Sequence, residues 1–152
     1  MKKVGIILLL TAVVIAGIGF YRTFTPPKDL WTVTHQFSGC PSRPSCVSSV
    51  AKDDKHAIAP LRYEGAADQA DATLLMVVAA MPGAHIEYQD ANYIHAVFMT
   101  PTMRFHDDVE LLIRPDNAID VRSSSRFGYG DHGVNRKRVE EIRARFEAAK
   151  GH

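Results

Sequence analysis

The sequence predicts an α+β fold: an antiparallel sheet of four to five strands with two helices on one face, preceded by an N-terminal transmembrane helix. Three observations carry this. The chain opens with an uncharged apolar run, Val4 to Tyr21. Its middle then holds four short alternating segments separated by turn residues, the signature of half-buried strands. Two segments with helical spacing, "DQADATLLMVVAAMPG" and "NRKRVEEIRARFEAAK", bracket those strands. At 152 residues, 46% hydrophobic and 23% charged, the chain suits one globular domain with its own core.

The apolar run has 18 residues, which as a helix span roughly 27 Å, the thickness of a bilayer core. Lys2 and Lys3 precede it and favour a cytoplasmic N-terminus, which exports the rest of the chain. The expected placement is therefore single-pass in the inner membrane with the domain periplasmic. Cleavage after Gly17-Ile18-Gly19 and release into the periplasm is the alternative. The first 21 residues are thus read as signal anchor, 22–39 as linker and 40–150 as the domain. Within the linker, Pro26-Pro27 and weak periodicity indicate a spacer, with Trp31 and Phe37 free to pack on the domain or to lie near headgroups.

Net charge is +1, and without Lys2 and Lys3 the balance is 16 basic against 17 acidic residues, or −1. This excludes bulk nucleic-acid binding as the function. The two cysteines, Cys40 and Cys46, lie in "CPSRPSCVSS". In an exported domain a disulfide is the natural reading. A metal site would need more ligands than the nearby His35 and His56, and a reactive thiol at Cys46 would need a base beside it.

"APLRYEG" reads as a short strand. The first helix follows, with Asp68 or Asp71 near its start, Leu74, Leu75, Val77, Val78 and Met81 on its apolar stripe, and Pro82-Gly83 as its stop. "HIEYQD" and "NYIHAVFMT" form two strands joined at Asp90-Ala91-Asn92. "FHDDVELLIRP" and "AIDVRSSS" form two more, joined at Pro115-Asp116-Asn117. The last helix carries Val139, Ile142, Phe146 and Ala149 on one side, with Asn135 as its expected N-cap.

Alternation places Ile94, Ala96, Phe98, Val109, Leu111, Ile113, Ile119 and Val121 under the helices. Tyr93, His95, Asp108, Glu110, Arg122 and Ser124 then share the opposite face. The register expected from the turns sets His95 across from Asp108, Tyr93 across from Glu110, and Glu110 across from Arg122. That face is either a solvated surface whose charges pair across strands or a site. As a site, His95 with Asp108 or Glu110 could act as an acid/base pair for hydrolysis, or the same groups could hold a divalent metal.

"RSSSRFGYGDHGVNRKR", residues 122–138, packs five basic residues, three serines and three glycines into a loop that ends on a helix N-terminus. Free N–H groups there favour an anion. The expected ligand set is Arg122, Ser124, Arg126, Gly128, Asn135 and Arg136. The competing reading is structural: Asp107 or Asp108 pairs with Arg122 or Arg126 and locks the loop. No Walker lysine or dinucleotide fingerprint is present, so no cofactor is expected. No Gly-x-Ser-x-Gly elbow surrounds Ser123, Ser124 or Ser125.

In that order, "CPSRPSCVSS", "YIHAVFMTPTMRFHDDVELLI" and "IDVRSSSRFGYGDHGVNRKRVEEIRARF" closely resemble the domain of unknown function 1499 family, over about Cys40 to Phe146. The resemblance marks, among others, Cys40, Cys46, Tyr93, His95, Asp107, Asp108, Glu110, Arg122, Arg126, Gly128, Asn135, Arg136 and Arg138. Gly130-Asp131-His132 departs from the family's more usual Ser-Asp-Leu and puts His132's membership of a shared site in question. The family implies no established activity. The expectation is a non-enzymatic, membrane-tethered envelope domain that binds an anionic small molecule, a lipid headgroup or an envelope protein. A periplasmic hydrolase is the alternative.

Overall fold

The computed structural model describes residues 2–150. Helix α1 (Lys2–Phe24) is followed by a four-residue helix α2 (Trp31–Thr34). Then come β1 (Cys46–Ser48), β2 (Leu61–Arg62), α3 (Ala67–Ala79), β3 (Ala84–Asp90), β4 (Tyr93–Met99), β5 (His106–Ile113), β6 (Ala118–Ser125) and α4 (Val134–Ala149). The strands form one antiparallel sheet in the order β1-β6-β5-β4-β3. The outer edge of β6 is shared: β1 pairs with its C-terminal half, and β2 with Ala118 and Ile119. The sixth strand is β1, which follows directly from the Cys40–Cys46 disulfide.

Helices α3 and α4 cover one face. Leu74 and Val78 of α3 and Val139, Ile142 and Phe146 of α4 are buried against Ile94, Ala96, Phe98, Val109, Leu111, Ile113, Ile119 and Val121. All eight strand residues expected under the helices are in this core, because period-2 alternation leaves one choice of face once the apolar set is known. Gly83 closes the turn into β3 with φ +76, and a Cβ there would lie 2.7 Å from the Met99 carbonyl oxygen.

Two local expectations are corrected. The N-cap of α4 is Gly133, not Asn135. The capping carboxylate comes from Asp131, which accepts from the N–H groups of Asn135 at 2.7 Å and Gly133 at 3.1 Å. The β4–β5 register is also two residues away from the expected one: His95 lies opposite Glu110, and Val97 opposite Asp108. The faces survive because a two-residue slip preserves alternation.

Helix α1 is long and apolar enough to cross a membrane, with mean hydropathy 2.5 over its most apolar 18-residue window. Its last turn rests on the domain. Thr23 is buried, its carbonyl accepts from His106 Nδ1 at 3.0 Å, and Phe24 meets the His106 ring edge-on at 5.0 Å.

Candidate functional site

The face of the sheet away from α3 and α4 is polar, as alternation requires, but it is not solvated. Two rows of side chains cross it. One runs His95–Glu110–Arg122–Ser48 over β4, β5, β6 and β1, and the next runs Val97–Asp108–Ser124–Cys46. His95, Asp108, Glu110, Arg122 and Ser124 are all buried. Their cover is the segment after α1: Leu30 is buried, and Trp31 stacks on Tyr93 at 4.7 Å between ring centres.

Ion pairs hold this layer together. Glu110 accepts from Arg122 Nη1 at 2.7 Å, from the Tyr93 hydroxyl at 2.8 Å and from the Trp31 N–H at 2.8 Å. Arg122 Nη2 reaches Asp29 at 2.6 Å. Asp108 takes a two-pronged bond from Arg126, at 2.9 and 2.8 Å, and lies 2.8 Å from His95 Nε2. The His95–Asp108 and Tyr93–Glu110 contacts expected from sequence both form, along diagonals of the ladder rather than directly across it. Long side chains bridge such diagonals readily.

The charges set the titration. Burial alone would raise the Asp108 carboxyl. The hydrogen bonds from His95 and Arg126, with the guanidinium's positive charge, outweigh it and hold the group below its ordinary value. Burial, then the Glu110 charge and hydrogen bond, push the Tyr93 hydroxyl upward, so it remains a neutral donor.

A second network occupies the helix side. Arg138 bonds Asp107 at 2.7 Å and Asn135 Oδ1 at 2.8 Å, and Ser123 donates to the same Asn135 oxygen at 2.6 Å. Asn135 Nδ2 donates to the Ser45 carbonyl, Ser125 Oγ and Asp131. This is structural cross-bracing with every amide position of Asn135 in use.

A cleft of about 370 Å³ opens beside the first network, between the end of α1, the segment after it and β6. Arg22, Lys28, Arg43, Arg122 and Arg126 line it, against one lining carboxylate, Asp29. With Asp108 and Glu110 behind Arg126 and Arg122, five cations still face three anions. Arg43 Nη2 donates to the Ser125 carbonyl at 2.6 Å, while the Nε–H groups of Arg43 and Arg122 have no acceptor among the described residues. Buried donors without partners are uncommon in folded proteins. Ser124 adds a hydroxyl to the same wall, and Ser125 its backbone carbonyl.

Of the six expected ligand residues, Arg122, Ser124 and Arg126 meet in this cleft. Gly128 stands beside it, its carbonyl 3.5 Å from Arg43 Nη1. Asn135 lies on the other side of the sheet, and Arg136 turns to the Lys55 carbonyl at 3.1 Å. At the α4 N-terminus, Asp131 already occupies the position a bound anion would take. His95 and Glu110 do not line this cleft, and a larger cleft of about 480 Å³ between α3 and the end of α4 holds neither network. No cluster of metal-ligating side chains occurs among the described residues. Asp29, Trp31 and Arg43 were not foreseeable as site residues. They sit in proline-rich, aperiodic stretches and make their contacts 79 to 93 positions away.

No curated protein matches this chain. The family described as "Protein of unknown function (DUF1499)" matches residues 36–146, nearly all of the chain beyond the spacer, and the protein belongs to that family.

Proposed function

We propose that this protein is a membrane-tethered, extracytoplasmic binding module whose cationic cleft takes an anionic group, phosphate-like in chemistry. The observation that carries the reading is the excess of cations in the cleft, where Arg22, Lys28, Arg43, Arg122 and Arg126 face one lining carboxylate, Asp29. Guanidinium groups match phosphate and carboxylate oxygens in planar, paired geometry. Arg122 and Arg126 are already oriented by Glu110 and Asp108, so little side-chain freedom is lost on binding. The apolar run of α1, the lysines before that run and the Cys40–Cys46 disulfide support a tether with the domain outside the cytoplasm. Binding is favoured over hydrolysis because His95 and Asp108 are each 2% exposed and already satisfied by one another and by Arg126.

The test is a titration of the full chain in neutral-detergent micelles with inorganic pyrophosphate as probe, read by calorimetry at constant ionic strength. Arg43→Gln is expected to weaken binding at least tenfold, about 1.4 kcal/mol. Arg136→Gln, outside the cleft, leaves it unchanged. Absence of saturable binding, or equal losses in the two variants, overturns the reading.

A further inference from the structure

A second feature lies on the opposite flank of α1, where the loops 100–105 and 126–130 come against the helix. Phe127 packs directly on the helix backbone: a Cβ at Gly19 would lie 2.8 Å from its ring. Phe105 stands 5.5 Å from Phe127. Between these rings and the helix runs a groove of about 440 Å³, lined chiefly by Ile15, Ala16, Phe20, Met103, Phe105 and Phe127.

The depth of this groove follows from helix geometry. The apolar run ends at Tyr21, so at 1.5 Å per residue Gly19 lies roughly 3 Å and Ile15 roughly 9 Å inside the outer boundary of the apolar span. A loop that reaches Ile15 and Ala16 is therefore at the level of lipid hydrocarbon, not above it. Its composition agrees. Met103 is 65% and Tyr129 79% exposed, and both side chains suit the lipid boundary. Arg104, beside Met103, has a long enough stem to return its charge to the headgroups. Both loops leave the same end of the sheet, the end on which the last turn of α1 rests.

We infer that loops 100–105 and 126–130 form a lipid-inserted rim, and that acyl chains of the outer leaflet fill the groove between them and α1. The domain is then held against the bilayer at three points instead of swinging on a single tether. This rests on α1 being retained in the membrane, as in the function proposed above.

The experiment uses the full chain in phosphatidylcholine nanodiscs with one nitroxide-labelled cysteine at a time and the native disulfide intact. Met103→Cys and Tyr129→Cys report on the rim. Ala12→Cys reports on the tether. Ala91→Cys, in the β3–β4 turn at the far end of the sheet, reports bulk water. Collisional relaxation by oxygen is compared with relaxation by a water-soluble nickel chelate. The rim labels are expected to show an oxygen-to-nickel ratio several-fold above that at position 91. Rim labels that match position 91 while position 12 is lipid-exposed overturn the rim alone. A water-exposed label at position 12 removes the tether and the rim together.

Discussion

Replacing Arg126 with methionine isolates the worth of the buried charge layer. Methionine keeps the length of the side chain but donates no hydrogen bond. It leaves Asp108, 2% exposed, with His95 as its remaining partner and deletes bonds of 2.9 and 2.8 Å. Breaking a buried pair from one side costs about 3–5 kcal/mol, because the surviving carboxylate loses the guanidinium that compensated it. With urea slopes of about 1–3 kcal/mol/M for small domains, the unfolding midpoint should fall by at least about 1 M. Trp31, the chain's only tryptophan, stacks on Tyr93 and reports the transition by fluorescence, while α1 stays in the micelle. The pH dependence supplies a second check. In the wild type the Asp108 carboxyl is lowered, so its contribution is present above the ordinary value of 3.8 and is lost as pH falls through the lowered one. Without Arg126 the carboxyl loses part of what holds it down, so the gap to wild type is widest at neutral pH and narrows in acid. A loss below about 1 kcal/mol, typical of an exposed pair, refutes the claim that this layer is desolvated. So does a gap that widens on acidification.

Three further outcomes are expected. Asp71 on α3 has one carboxylate oxygen without a partner, and burial raises its carboxyl, partly offset by the Gln89 amide. Its stability contribution is full below 3.8 and lost as pH rises through the raised value, so thermal melts should show Asp71→Asn more stable than wild type at pH 7 but not at pH 3. The Cys40→Ser/Cys46→Ser variant opens a seven-residue loop and should lose about 2.4 kcal/mol in urea melts. Gly83→Ala places a Cβ against the Met99 carbonyl at positive φ and should cost more than about 1 kcal/mol, whereas Gly39→Ala, with nothing within 4 Å, should cost little.

The strands from Tyr93 to Ser125 were legible because alternation, length and turn residues all agree there. Face assignment needed only the period of two. Register needed more. His95 and Asp108 do pair, but equating a side-chain pair with a directly opposed backbone pair shifted the ladder by two residues. Alternation alone leaves the polar face solvated or open, because nothing periodic in residues 25–35 announces a segment that docks. Leu30 is buried there and Trp31 meets Tyr93 and Glu110, contacts fixed by the path of the chain after α1. The expected anion site at the α4 N-terminus failed on one residue: Asp131, two positions before Gly133, turns its carboxylate back onto the helix amides. What remained of that site, Arg122, Ser124 and Arg126, joined Arg43, an arginine between two prolines that carries no pattern of its own.

The most direct test is a crystal of the protein soaked with tungstate, a heavy phosphate analogue, and searched for anomalous density. A peak within hydrogen-bonding reach of Arg43, Arg122 and Ser124, absent in Arg43→Gln crystals, is the predicted result. Density confined to other surfaces, or none in the cleft at saturating tungstate, would contradict it.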